Sequence, residues 1–144
     1  MAPASASKKD GSSITSTVRV DPARAQDLLL AWHIAAGVRS NGVVIVKNLE
    51  TLAVGTGQQD RVTAVEQAIA KVRSHYKGKE DIRGAVLASD GFFPFPDSAE
   101  RLGAAGLSAA VSPGGSVKDF DVIEAANRLK VALLFTGERC FSHH

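Results

Sequence analysis

The sequence predicts an α/β protein, a three-layer α/β/α sandwich with a mixed sheet. Segments rich in β-branched residues alternate along the chain with longer segments whose apolar residues recur at helical spacing. The strand segments are almost wholly apolar, as in a sheet that helices cover on both faces. Two of them are only three residues apart, which is typical of an antiparallel hairpin, so the sheet is expected to be mixed.

The first half of the folded region supplies two helices and the hairpin. Asp21 followed by Pro22 is typical of a helix start, because aspartate accepts hydrogen bonds from free amides and proline suits the first helical position. The predicted elements are a helix over 22–38, a buried central strand over 42–47, a turn at 48–50, a hairpin strand over 51–54, a Gly-rich corner at 55–59 and a helix over 60–76.

The second half continues the alternation. A predicted strand over 84–89 ends in a loop, 90–97, that holds three phenylalanines and two prolines. Beyond this loop we predict a helix over 98–105, a strand over 108–111, a turn at 112–116, a helix over 117–129 and a last strand over 131–135. These elements make one domain of ordinary size, which we place at 18–144.

Residues 1–17 are expected to form a disordered arm. This segment is polar and rich in serine, and apart from Met1 and Ile14 it has no large apolar side chain. Such a segment buries too little apolar surface to offset the entropy that is lost when a chain is ordered.

The composition excludes several classes of function. Apolar residues make up 44% and charged residues 22% of the 144 residues, as in a globular protein with a normal core. A formal net charge of +2 predicts no nucleic-acid or membrane partner. One cysteine, Cys140, and four scattered histidines predict no metal site. The chain has no apolar run of membrane length and no recognisable signal sequence, so we expect a cytoplasmic protein.

Several polar positions have both a binding and a purely structural interpretation. The turn at 112–116 lies between a strand and a helix, where free amides attract an anion, and it also suits a tight turn with a capping serine. The Gly-rich corner at 55–57 has the same two interpretations. Asn41 is either a ligand contact or a helix C-cap, and Arg139 is either a phosphate contact or a solvated side chain.

The loop at 90–97 is the clearest candidate for a ligand site. Phe92, Phe93 and Phe95 lie among prolines after a strand's carboxyl end, which is the edge of an α/β sheet where ligands bind. The three rings predict an apolar wall on which a flat heteroaromatic ring stacks. Core packing accounts for one or two of these rings, but not for all three.

A series of motifs, taken in order, resembles one enzyme family. The motifs are Asp27-Leu28-Leu29-Leu30-Ala31-Trp32, Ser40-Asn41, Lys47-Asn48, Gly55-x-Gly57-Gln58-Gln59-x-Arg61-Val62, Ala88-Ser89-Asp90-Gly91-Phe92-Phe93-Pro94-Phe95, Pro113-Gly114-Gly115-Ser116 and Thr136-Gly137-x-Arg139-x-Phe141. Over roughly residues 25–144 the chain resembles the aminoimidazole carboxamide ribonucleotide (AICAR) formyltransferase/IMP cyclohydrolase family of purine biosynthesis. The matching segment is the C-terminal half of the formyltransferase region.

This resemblance implies a fold, an activity and an assembly. The implied fold is cytidine-deaminase-like and lacks the deaminase zinc. The implied activity is that of a phosphoribosylaminoimidazolecarboxamide formyltransferase, which transfers a formyl group from 10-formyltetrahydrofolate to AICAR. The family builds its active sites from both subunits of a homodimer. The implied partner is therefore a second copy of this chain, or a chain that carries the other formyltransferase subdomain.

Matching positions imply residue roles. Asn41 would be the catalytic contact to the AICAR carboxamide, and Phe92 and Arg139 would bind the nucleotide with it. The implied folate contacts are Val62, Pro94, Phe95 and Asp97, and the positions implied for a monovalent cation are Asp90 and His143.

The chain also departs from the family pattern. The family's catalytic Lys-His pair lies in the other half of the formyltransferase region, and no Lys-His dipeptide occurs in these 144 residues. At the cation site, the family has hydroxyl-bearing residues at the positions that are Val38 and Gly42 here. Pro96 stands where the family frequently has an arginine, and His33 stands where it frequently has a lysine. Acid–base groups supply roughly 10²–10⁴-fold of a typical enzyme's rate. Three alternatives stay open: a subunit completed by a second chain, a short homodimeric formyltransferase with other acid–base groups, and a nucleotide- and folate-binding module without catalysis.

Overall fold

The computed structural model describes residues 1–38, 41–57, 60–75 and 82–137, without the side chain of His75. From α1 onward the order of helices and strands is the predicted one. The elements are β1 (Ala2–Pro3), β2 (Ser5–Ser7), β3 (Ser13–Thr15), α1 (Pro22–Ala35), β4 (Val43–Lys47), β5 (Glu50–Gly55), α2 (Arg61–His75), β6 (Val86–Ser89), α3 (Asp97–Ala105), β7 (Ala109–Ser112), α4 (Asp119–Arg128) and β8 (Ala132–Phe135).

Six of the strands form one mixed sheet, which confirms the predicted sheet type. Their order is β1-β8-β7-β6-β4-β5. The strands β6, β7 and β8 are parallel, whereas β4 runs antiparallel to both β5 and β6. Val43 pairs with both Gly55 and Ser89, so β4 begins at the edge where β5 and β6 end. We call this edge, at which β7 and β8 also end, the carboxyl edge.

Helices cover both faces of the sheet, as the apolar strands predict. Successive residues of a strand point to opposite faces. Val43 and Ile45 belong to the core cluster under α2, α3 and α4, and Val44 and Val46 belong to the cluster under α1. All four side chains are fully buried. The α/β/α sandwich is therefore confirmed.

The expectation of a disordered arm over residues 1–17 is wrong for the structure described here. The strand β1 pairs with β8 at the edge of the sheet, and β2 and β3 form a small hairpin against α4. Ala4 is fully buried, and its amide donates to the carbonyl of Leu133. The Asn127 side chain of α4 bonds the backbone of Thr15 and Thr17. Main-chain pairing holds this segment, and Ala6 and Ile14 pack against the core.

The hairpin of β4 and β5 is present, but its turn is shorter than predicted. Lys47 pairs with Glu50, so the turn holds only Asn48 and Leu49 rather than residues 48–50. A register shift between Ile45 and Val46 accompanies this shorter turn.

Within the described residues, every helix is too short or too polar to form a membrane span.

Candidate functional site

The carboxyl edge collects the segments that the sequence singled out. Asn41 precedes β4, the Gly-rich corner follows β5, the aromatic loop follows β6 and the Ser/Gly-rich turn follows β7. Strands in a sheet lie roughly 4.8 Å apart, so loops at one edge of neighbouring strands become neighbours. The sheet topology therefore brings together residues that are separated by up to about seventy positions in the sequence.

A single guanidinium joins two of these segments to the start of α2. Arg61, the first residue of α2, is only 8% exposed and forms an ion pair with Asp90 at the end of β6. Its Nη2 donates to Asn41 Oδ1 at 2.9 Å, and its Nη1 donates to the Gly42 carbonyl at 3.2 Å. Asp90 is 1% exposed and also accepts from the Gly42 amide at 3.1 Å. The carboxylate is thus paired and hydrogen-bonded, as a buried charge requires.

The close packing around this guanidinium explains why position 91 is a glycine. A Cβ at Gly91 would lie 2.5 Å from Arg61 Nη2. Glycine therefore leaves the space that the Arg61 fork occupies. The neighbouring Ser89 hydroxyl donates to the Gly91 carbonyl at 2.8 Å and holds the start of the loop in place.

Arg61 is the functional candidate that residue spacing did not identify. An arginine in the first turn of a helix opposes the helix dipole, which is a sign that a tertiary partner holds it there. The structure supplies that partner in Asp90. The Nε of Arg61 is buried and makes no hydrogen bond within the described residues. A buried donor of this kind takes a partner from outside the described residues, which is a water molecule, a ligand or another part of the chain.

The aromatic loop divides between core and surface. Phe93 is 2% exposed and belongs to the core cluster under α2, α3 and α4, so the expectation that it forms part of an exposed wall is wrong. Phe92 and Pro94 are half-buried, and Phe95 is 56% exposed. The surface that this loop offers to a ligand therefore consists of Phe92, Pro94 and Phe95.

The remaining predicted contacts lie on helix starts near the same edge. Val62 is half-buried and follows Arg61 in the first turn of α2. Asp97 is exposed and is the first residue of α3, where its charge also favours the helix dipole. Asn41 is not a helix C-cap, because α1 ends at Ala35 with Ala36 as its cap. The C-cap interpretation of Asn41 is therefore wrong.

The Ser/Gly-rich turn after β7 fits the tight-turn interpretation. The Gly115 amide donates to Asp119 Oδ2 at 2.8 Å, and the Lys118 amide donates to the Ser116 hydroxyl at 3.0 Å. Burial raises the pKa of the Asp119 carboxyl, whereas hydrogen bonds from the amides of Gly115 and Ser116 act in the opposite direction. The chain's own carboxylate therefore occupies the position that an anion would take at Gly115.

Some of the predicted residues lie outside the described part of the chain. These are Arg139, Cys140 and His143, together with Gln58 and Gln59 of the Gly-rich motif. Of the two positions implied for a cation, Asp90 is described and contacts Arg61 and Gly42. No cluster of metal-ligating side chains occurs among residues 1–38, 41–57, 60–75 and 82–137.

Comparison with known proteins adds an independent finding. Residues 3–71 match the model of the AICARFT/IMPCHase bienzyme family. The chain is 51% identical, over 118 residues, to the bifunctional purine biosynthesis protein PurH of Caldicellulosiruptor bescii. This alignment covers 82% of this chain and 22% of that protein. The chain is 47% identical, over 123 residues, to the PurH of Mycobacterium marinum, and that alignment covers 85% of this chain and 22% of that protein.

A comparison with solved structures finds dCMP deaminases. The dCMP deaminase of the cyanophage S-TIM5, in complex with dCMP and dUMP, is 20% identical with a TM-score of 0.49, over 80% of this chain and 98% of that chain. The chain spans only about a fifth of the length of the curated relatives that it matches. Over most of its own length, therefore, this protein is similar to one segment of the bifunctional purine biosynthesis protein PurH.

Proposed function

We propose that this chain binds AICAR at the carboxyl edge and takes part in folate-dependent formyl transfer during purine biosynthesis. The observation that carries the proposal is the Arg61 guanidinium, which holds Asn41 beside the buried Asp90. The similarity to PurH supports a role in purine biosynthesis, and AICAR as the substrate is part of the proposal, based on the motif resemblance. The segment concerned would be the C-terminal half of the formyltransferase region, because the motifs around Asn41, Arg61 and Asp90 carry that resemblance.

Arg61 would prepare Asn41 for the substrate. Asn41 Oδ1 accepts from Arg61 Nη2, and this contact sets the orientation of the side-chain amide. A side chain held in this way loses little entropy when a ligand binds. We assign Asn41 to the carboxamide of AICAR, Phe92 to the nucleotide pocket and Arg139 to the charged end of the nucleotide.

The exposed part of the aromatic loop suits the formyl donor. Phe95 and Pro94 offer an apolar surface at the edge where α2, with Val62 in its first turn, also begins, and Asp97 offers a carboxylate for the N–H donors of a pterin ring. We assign these four residues to 10-formyltetrahydrofolate.

The proposed transfer follows ordinary acyl chemistry. The 5-amine of AICAR attacks the formyl carbon, a new C–N bond forms, and the bond between that carbon and N10 of the folate breaks. The amine loses one proton and N10 gains one. The groups that move these protons would lie outside these 144 residues, because the family's Lys-His pair is absent from them.

A formylation assay with purified AICAR and 10-formyltetrahydrofolate tests the proposal. The chain is assayed alone and after addition of a full-length PurH in which the asparagine matching Asn41 is replaced by alanine. We expect turnover only in the mixture, since each component supplies what the other lacks. Turnover by the chain alone would instead identify a short formyltransferase with its own acid–base groups. The proposal fails if the mixture is inactive and the chain binds neither compound.

A second candidate is a nucleotide- and folate-binding module without catalysis. The missing Lys-His dipeptide favours it. This candidate predicts AICAR binding that depends on Asn41, with no formylation in either assay.

A further inference from the structure

The turn between β4 and β5 is strained at a residue whose side chain gains little from burial. Asn48 and Leu49 both have positive φ, 53° and 62°. Two-residue hairpin turns of this kind favour asparagine followed by glycine, because a Cβ is strained in the left-handed region. Leu49 stands where glycine is preferred, and it is 58% exposed. Something other than its own packing must therefore hold this turn.

A buried carboxylate on α1 holds it. Asp27 is 1% exposed, and its Oδ1 accepts from the Leu49 amide at 2.7 Å while its Oδ2 accepts from the Asn48 amide at 3.1 Å. Arg24 pairs with the same Oδ2 at 3.1 Å and donates to Asn48 Oδ1 at 3.1 Å. Hydrogen bonds to a charged acceptor are stronger than neutral ones. We call Asp27 and Arg24 the turn clamp.

The short turn is tied to a β-bulge farther along the hairpin. Ile45 pairs with Ala53 but Val46 pairs with Thr51, so Leu52 is an extra residue in β5. The bulge places Leu52 and Ala53 on the same face, where each is 7% exposed. Both belong to the core cluster that includes residues of α2.

A second register is compatible with the same sequence. Without the bulge, Val46 would pair with Leu52, and the loop would lengthen to the three residues 48–50. Three-residue hairpin loops are common and place a left-handed residue last, here Glu50. Leu52 would then point to the opposite face of the sheet, away from α2.

We propose that Asp27 is a positioning residue that selects the bulged register and thereby keeps Leu52 beneath α2. The first residue of α2 is Arg61, which holds Asn41 and Asp90. The turn clamp thus contacts the turn, the turn sets the bulge, and the bulge places Leu52 against α2. The helix α2 in turn begins at the carboxyl edge with Arg61. Without Asp27, the three-residue loop becomes populated, Leu52 leaves the core and α2 loosens.

Nuclear magnetic resonance of the whole chain tests this proposal without any ligand. In the wild type we expect one set of signals, with a cross-strand contact between Val46 and Thr51. In Asp27→Asn we expect a second set, with a contact between Val46 and Leu52, in roughly a tenth of the molecules or more. Amide exchange in α2 should rise in the same variant. The matched control is Asp21→Asn, which removes the same charge from the cap of α1 and should keep the single set.

Two glycine substitutions, one residue apart, should have opposite effects. Leu49→Gly relieves the two-residue turn and should restore the single bulged register in the Asp27→Asn background. Glu50→Gly favours the three-residue loop and should populate the second register even with Asp27 intact, so the test survives if Asp27→Asn does not fold. The proposal is overturned if Asp27→Asn folds and shows only the contact between Val46 and Thr51, or, where Asp27→Asn does not fold, if Glu50→Gly shows only that contact. It is equally overturned if the second register appears while amide exchange in α2 stays unchanged.

Discussion

Arg61, at the start of α2, forms a buried ion pair with Asp90, at the end of β6. The two residues are 29 positions apart and meet because α2 starts at the same edge of the sheet at which β6 ends. Their contact also orients Asn41, the residue on which the proposed substrate contact depends. The ion pair therefore links the stability of the fold to the geometry of the candidate site.

Removing the guanidinium should destabilise the protein strongly. Arg61→Met removes the guanidinium that forms the ion pair with the buried Asp90 carboxylate, and we expect a loss of about 3–5 kcal/mol in the free energy of unfolding. Urea unfolding measures this loss of stability. The matched control is Arg101→Met, which breaks an exposed ion pair with Glu66 at 3.1 Å and should cost about 1 kcal/mol or less. Equal losses in both variants would show that Asp90 does not depend on Arg61.

A methyl group at Gly91 should disturb the site directly. In Gly91→Ala the new Cβ would lie 2.5 Å from Arg61 Nη2, so this nitrogen, which donates to Asn41 Oδ1, must shift. We expect a loss of stability of about 1–3 kcal/mol from overpacking, together with weaker AICAR binding. Gly37→Ala is the control, because its Cβ would meet only the Ile34 carbonyl at an ordinary 3.6 Å. Unchanged stability and AICAR affinity in Gly91→Ala would contradict the close packing described here.

Substitutions of Phe93 and Phe95, two phenylalanines of the aromatic loop, should have different effects on stability and on folate binding. Phe93→Ala removes a core side chain and should cost about 3–5 kcal/mol in the free energy of unfolding. Phe95→Ala removes a 56% exposed side chain and should leave stability nearly unchanged while weakening folate binding. Thermal unfolding and a folate titration of both variants check this. Full folate affinity in Phe95→Ala would remove Phe95 from the proposed folate contacts.

Asp119 and Asp60 should make the free energy of unfolding depend on pH in opposite directions. Burial raises the pKa of Asp119 above 3.8, so its contribution is present below that pH and is lost as pH rises through the raised folded value. Hydrogen bonds from Thr63 lower the pKa of Asp60, so its contribution is present above pH 3.8 and is lost as pH falls through the lowered value.

Urea unfolding between pH 3 and pH 7 measures both dependences. Relative to the wild type, Asp119→Asn should become more stable as pH rises. Asp60→Asn should be less stable than the wild type at neutral pH, and this difference in the free energy of unfolding should shrink as pH falls. The same slope in both variants would contradict the assignment.

The N-terminal segment should depend on one asparagine. Asn127 accepts from the Thr17 amide at 2.9 Å and donates to the Thr15 carbonyl at 3.1 Å. Asn127→Ala removes both hydrogen bonds and should lower the free energy of unfolding by about 1–3 kcal/mol. It should also speed amide exchange in the hairpin of β2 and β3. Fast exchange in that hairpin in the wild type would support the disordered arm instead.

Periodicity and turn residues were sufficient to predict the layers and the order of the elements from α1 onward. Asp21 marks the start of α1 because an aspartate at this position accepts from the Arg24 amide at 2.9 Å, and such caps are local in sequence. The position of the aromatic loop after the carboxyl end of β6 followed from the same alternation. Asn41 reaches that edge only because β4 runs antiparallel to β6, which the alternation does not predict.

Long-range pairing is what the sequence could not reveal. The N-terminal strands are held by backbone hydrogen bonds to β8 and by the Asn127 side chain of α4, and neither kind of bond leaves an apolar pattern in residues 1–17. The two-residue turn depends on Asp27, more than twenty positions away. Arg61 likewise gained its role from Asp90, a partner that no local pattern identifies.

Calorimetric titration of AICAR into the wild type, Asn41→Ala and the surface control Gln26→Ala tests the central claim most directly. We predict saturable binding by the wild type and by Gln26→Ala. Binding by Asn41→Ala should be weaker by about tenfold, the equivalent of one lost hydrogen bond. No binding by the wild type, or equal affinity in all three proteins, would contradict the proposal that Asn41 holds the nucleotide at the carboxyl edge.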